Sequence, residues 1–208
     1  MKKNSKIFWL SMAAVVGLSA CGGDDDAAPS NQVKLDGKTI KFDEADLGSS
    51  FDLEGELGTY SYHEFFLTSE GLTMSETGNL SGSGDMVAFG LISESTSELQ
   101  EGTYELKLNS EIGDVDYFEV YSNLSESGPD TYYAAYRGTV KVSKSGEDRY
   151  TLTFNIDIFT SQTESEQEEF VDGALKGNYK GTVDVITSSG TRKHSGSITK
   201  GKKSFSWE

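Results

Sequence analysis

Few residues in this 208-residue chain have types and spacings that suit chemistry. Histidine occurs twice, at His63 and His194, and cysteine once, at Cys21. That supply is too small for a zinc or copper site built from these ligands. A Ser-His-Asp triad would need one of the two histidines beside a serine on a sharp strand-to-helix elbow. Neither Gly82-Ser83-Gly84 nor Ser195-Gly196-Ser197 has the Gly-x-Ser-x-Gly form or that context. Acids are abundant, 34 Asp and Glu against 18 Lys and Arg, and densest at Glu164, Glu166, Glu168 and Glu169. On an extended chain Glu164, Glu166 and Glu168 point the same way and repel one another, which suits calcium bound through carboxylate oxygens. The plainer reading of that run is a solvated hairpin loop. Asp43-Glu44-Ala45-Asp46 and Asp114-Val115-Asp116 are weaker calcium candidates, since neither matches an EF-hand loop. Tyr133 and Arg137 form a candidate ligand-binding pair, because a tyrosine ring stacks on a sugar while an arginine hydrogen-bonds its hydroxyls. Set against this is the plain reading of Tyr133 as one exposed aromatic among others.

The elements that must carry these residues read as strands. Val33-Lys34-Leu35 and Thr39-Ile40-Lys41-Phe42 flank Asp36-Gly37, a strong two-residue hairpin signal. Tyr60 to Leu67 is an aromatic-rich strand with His63 in it, and Gly71 to Gly84 is a Ser/Gly/Thr-rich excursion. Val87, Phe89 and Leu91 alternate with Met86, Ala88 and Gly90. Tyr104, Leu106 and Leu108 make another strand, and Val115 to Tyr121 the next. Tyr132, Ala134, Tyr136, Gly138, Val140 and Val142 share one parity, which assigns Tyr132 and Tyr136 to the core and Tyr133 with Arg137 to the wet face. Tyr150, Leu152, Phe154, Ile156 and Ile158 alternate strictly with polar residues. Leu175, Tyr179, Val183 and Val185 repeat the pattern before a turn at Ser188-Ser189-Gly190. Apart from the N-terminal segment, no stretch shows sustained helical periodicity. The expectation is an all-β domain over 33–208, an antiparallel β-sandwich of about nine to eleven strands, with a closed lipocalin-like β-barrel as the alternative.

Lys2, Lys3 and Lys6 precede an apolar run from Ile7 to Leu18, long enough for a signal peptide and too short to span a bilayer. The run closes on Leu18-Ser19-Ala20-Cys21, which resembles the lipobox of bacterial lipoproteins. The resemblance implies that residues 1–20 are a signal peptide and that Cys21 becomes the lipid-bearing N-terminus. Residues 21–32, with Gly22-Gly23-Asp24-Asp25-Asp26, then read as an acidic flexible tether. Gly22 stands where an inner-membrane retention signal has Asp, and the acid triplet resembles an export tag. The implied location is the outer membrane, with the domain displayed at the cell surface. Beyond the tether, Gly102-Thr103-Tyr104, Gly138-Thr139-Val140-Lys141-Val142 and Tyr150-Thr151-Leu152-Thr153-Phe154 look like the strands of uncharacterised β-rich surface lipoproteins. These generic strand signals transfer no functional residues.

From Cys21 onward there are 15 basic and 34 acidic residues, a net charge of −19. Such a field repels nucleic acid. No cofactor motif is present, and calcium is the one ion that the acids suggest. The expected function is a non-enzymatic binding or envelope-assembly module, with membrane attachment through Cys21 and a glycan or envelope protein as partner. A lipocalin-like carrier of a small apolar ligand, or a carboxylate-dependent hydrolase, is the alternative.

Overall fold

The computed structural model describes residues 31–186, apart from 76, 95–97, 108 and 163–168. Every regular element among them is a strand. The chain opens with β1 (Gln32–Leu35) and β2 (Lys38–Lys41), joined through Asp36-Gly37 at φ of 45° and 85°. Two successive positive φ values make the tight turn whose twist matches paired strands. Next come β3 (Glu44–Gly55), β4 (Gly58–Thr68), and a small hairpin of β5 (Leu72–Met74) and β6 (Leu80–Gly82) inside the Ser/Gly/Thr-rich excursion. They are followed by β7 (Gly84–Glu94), β8 (Gly102–Leu106) and β9 (Asp114–Leu124). The last four are β10 (Thr131–Lys144), β11 (Arg149–Gln162), β12 (Glu169–Thr182) and β13 (Asp184–Ile186).

Eleven of these form one sheet in the order β13-β3-β4-β7-β9-β8-β10-β11-β12-β1-β2, and β5–β6 stands apart. All pairings are antiparallel except β13–β3 and β8–β9, so the sheet is mixed. The all-β expectation holds: the eleven strands curl into a half-barrel, an arrangement consistent with the expected β-rich sandwich or barrel. Phe154 on β11 meets Phe89 on β7 and Phe118 on β9 edge-on, at 5.6 and 5.7 Å, although those strands lie well apart in the sheet order. Phe65, Phe89 and Phe118 stack across neighbouring strands at 5.0 and 5.6 Å. Together these four rings form the aromatic centre of the half-barrel's core. The strict alternation from Tyr150 to Ile158 places all five of its apolar side chains in this core.

The outer face is less wet than simple alternation predicts. Phe66, Leu72, Met86, Ala88, Tyr121, Leu124 and Ile186 form a second buried cluster there, with Met74 and Leu80 of the small hairpin packed against it. Asp85 pins the first hairpin to the sheet. Its Oδ1 accepts from Lys38 Nζ at 2.9 Å, Ser122 Oγ at 3.0 Å and Asn123 N at 3.0 Å. Burial works against ionisation at Asp85, but the Lys38 ammonium, the Asn123 amide and the Ser122 hydroxyl outweigh it and hold the carboxyl below its usual range.

One irregularity corrects the phase of β10. Its register against β11 shifts between Ala135 and Arg137, which inserts Tyr136 as an unpaired extra residue. A one-residue insertion flips every side chain on one side of it. Tyr133 and Ala135 therefore pack against the core, Tyr132 points outward, and Tyr136 is 46% exposed. Tyr133 and Arg137, expected together on the wet face, stand on opposite faces. Gly138 follows the bulge at φ 144°, where a Cβ would lie 2.7 Å from Ile156 Cα. Val185 is likewise out of its expected phase, 59% exposed while Ile186 is buried.

Candidate functional site: an aromatic and acidic outer face

Cross-strand register builds one continuous row on the outer face. Phe66, Ala88, Glu119, Ala134 and Phe159 stand opposite one another across β4, β7, β9, β10 and β11. Around this row, four tyrosines donate to three carboxylates. Tyr62 Oη donates to Asp116 Oδ2 at 3.2 Å, and Tyr117 Oη to Glu64 Oε1. Tyr121 and Tyr132 share Glu119, at 2.5 and 2.7 Å to its two oxygens. Burial above all, and then the neighbouring carboxylates, push all four phenols well above their ordinary range. They stay protonated and act as fixed donors to the acids. Gly90 makes room for this arrangement: the Tyr62 and Tyr117 rings lie directly over its backbone.

At the β10–β11 end the face carries an aromatic pair, the exposed Tyr136 and the half-buried Phe159. The Tyr136 and Phe159 rings are 6.2 Å apart, and Arg137 lies over the Tyr136 ring at 5.9 Å. Arg137 Nε and Nη2 both donate to Asp157 Oδ2, at 2.8 and 2.5 Å. The ion pair ties down the guanidinium over the Tyr136 ring while the Arg137 side chain stays largely exposed. The arrangement uses Arg137 as the sequence suggested but pairs it with Tyr136, the bulged residue, in place of Tyr133. The bulge has no signature in the residue pattern of β10 itself, so the parity argument had nothing from which to detect it.

A second polar group lies inside the half-barrel. His63 on β4 is fully buried, with Ser49 Oγ 2.9 Å from Nδ1 and Ser93 Oγ 3.0 Å from Nε2. Ser93 also donates to the Glu94 carbonyl, so it accepts from Nε2–H, and Ser49 donates to Nδ1. Burial pushes the imidazole down to about 4. Both nitrogens are taken by serines in mid-strand, and neither hydrogen bond brings the carboxylate that would orient a triad histidine. Ser93 also lines a shallow open cleft of about 220 Å³ with Glu94, Gln100, Glu101, Tyr104 and Ile112.

Asp46 on β3 is buried at 6% exposure, and its Oδ2 has no hydrogen-bond partner. Burial, then Glu44 and Asp184, push its carboxyl up to about 6. Asp46 and His63 therefore titrate over overlapping ranges with opposite signs. A carboxyl raised in the folded state lowers stability as pH rises from about 4 through 6. An imidazole lowered in the folded state lowers stability as pH falls from about 6.5 through 4. Asp46→Asn is expected to raise stability above about pH 7 by on the order of 1–2 kcal/mol and to leave a steeper loss toward pH 4. Urea titrations of both proteins across this range check it. An equal change at every pH would contradict the assignment.

Among the described residues, no group of three His, Cys, Asp or Glu is placed to hold a metal. Asp114 is committed to Lys107 at 2.8 Å and to the Glu111 amide at 2.9 Å, and Asp116 to Tyr62. Cys21, His194 and the calcium candidates Glu164, Glu166 and Glu168 lie outside the described residues.

Fold and face together define a class: an all-β protein made of one curled eleven-stranded mixed sheet with an aromatic, acid-rich outer surface. Comparison with protein-family models, curated proteins and solved structures gives no match.

Proposed function

We propose that this chain is a lipid-anchored, surface-displayed lipoprotein acting as a non-enzymatic binding module, and that its outer face captures a glycan. The observation that carries this reading is the exposed Tyr136 ring, next to the half-buried Phe159 ring and the Arg137–Asp157 pair. An aromatic face covers the apolar side of a sugar ring. The flanking guanidinium and carboxylates supply donors and acceptors for its hydroxyls. Attachment rests on Cys21, which follows the apolar segment at the position where lipoproteins carry their lipid.

A glycan array probed with the chain from Cys21 onward, carrying Cys21→Ser, tests the capture. Wild-type Tyr136 should give saturable binding to a subset of glycans, and Tyr136→Ala should weaken it about tenfold, the loss of one stacking and hydrogen-bonding contact of roughly 1.4 kcal/mol. Silence across the array would sink the glycan reading. Labelled palmitate should be incorporated into the wild-type chain and not into Cys21→Ser. Equal labelling of both would remove the anchor.

A further inference from the structure

β13 leaves the described sheet in a telling direction. It runs parallel to β3, with Asp184, Val185 and Ile186 opposite Asp46, Leu47 and Gly48, and so it points along the rest of β3. From Ser49 to Gly55, β3 has β4 on one side and, among the described residues, no strand on the other. Phe51, 43% exposed, and Val185, 59% exposed, present apolar surface along this edge. Asp52, Glu54 and Glu56 give its far end negative charge, and Glu44, Asp46 and Asp184 do so at the near end. Asp46 is the buried carboxylate whose Oδ2 has no hydrogen-bond partner.

The segment that follows β13 has the opposite character. Residues 187–208 hold Arg192, Lys193, Lys200, Lys202 and Lys203 against one acid, Glu208, in a chain otherwise strongly acidic. They also hold Ile198, Phe205 and Trp207, apolar residues of the kind the edge exposes. An open strand edge is a template for a further extended segment.

We infer that residues 187–208 dock along the Ser49–Gly55 edge of β3, with their lysines and arginine against the carboxylates that flank it and their apolar residues over Phe51 and Val185. Docking extends the curled sheet on its exposed side. The segment follows directly on Ile186, which pairs with Gly48 next to the edge, so docking would occur at high effective concentration and need little intrinsic affinity.

Zero-length carbodiimide cross-linking of the full chain, read by peptide mass spectrometry, tests this. Links from Lys193, Lys200, Lys202 or Lys203 to Asp52, Glu54, Glu56, Glu44 or Asp184 are expected within one molecule. Their yield should fall at least fivefold in about 0.5 M salt, which screens exposed pairs. In the variant Lys200→Glu/Lys202→Glu/Lys203→Glu, backbone amides of 49–55 should exchange at least tenfold faster, while those of β7 keep their protection and show that the fold is intact. Tail links to carboxylates elsewhere, such as Glu98 or Glu147, would overturn the inference. So would links only between molecules, or unchanged exchange at 49–55 in the variant.

Discussion

Phe89→Ala is expected to cost about 3–5 kcal/mol of folding stability, the range for a large aromatic removed from a close-packed interior. Phe89 is fully buried and touches three rings: Phe65 at 5.0 Å, Phe118 at 5.6 Å and Phe154 at 5.6 Å. The first two lie on neighbouring strands of one half of the sheet, and the third comes from the half that curls over it. Losing Phe89 therefore empties the place where the curl closes. Domains of this kind are stable by about 5–15 kcal/mol in total, so the variant should sit near its unfolding threshold. Chemical denaturation followed by circular dichroism gives the number. A loss below about 1 kcal/mol would mean that the two halves do not meet through these rings.

Gly90→Ala should have the largest effect among outer-face changes that remove no side chain. The added Cβ would overlap the Tyr62 hydroxyl and lie 2.7 Å from Tyr62 Cζ and 2.8 Å from Tyr117 Cε1. Both rings must move, and both donate to buried or half-buried carboxylates, Asp116 and Glu64. Leaving those acceptors without donors costs about 1–3 kcal/mol, more than the roughly 0.4–1 kcal/mol gained by stiffening the unfolded chain. A net loss of about 1–2 kcal/mol is expected, with shifted tyrosine ring resonances. Gly102→Ala is the control. A Cβ there meets nothing within 4 Å, so the substitution should stay within about 0.5 kcal/mol of wild type. Equal effects at the two glycines would show that the rings do not lie over Gly90.

Much of the fold was legible because period-two alternation survives wherever one face is buried. Tyr150 to Ile158 reads correctly from parity alone, and Asp36-Gly37 announces its own turn. What was not legible arises where residues far apart in sequence meet. The bulge at Tyr136 depends on how β10 switches between partners, pairing with β9 at its start and β8 later. Parity carried through that insertion puts Tyr133 on the wrong face. The tyrosine–carboxylate cluster joins Tyr62 and Glu64 to residues more than 50 positions away, and only strand order places them together. Alternation marks a residue as outward but cannot say that a small hairpin covers part of that outer face. The same limit hid the His63 network, since Ser49 and Ser93 are ordinary strand residues until β3 and β7 flank β4.

The proposed function places glycan binding on the outer face around Tyr136, Phe159 and Arg137. The most direct test titrates the best array glycan into protein labelled at its tyrosine and phenylalanine rings and follows those resonances by NMR. Saturable shifts at Tyr136 and Phe159, with none at the buried Phe65, Phe89 and Phe118 rings, are predicted. No shift at Tyr136 at millimolar glycan, or shifts confined to rings elsewhere, would contradict the claim.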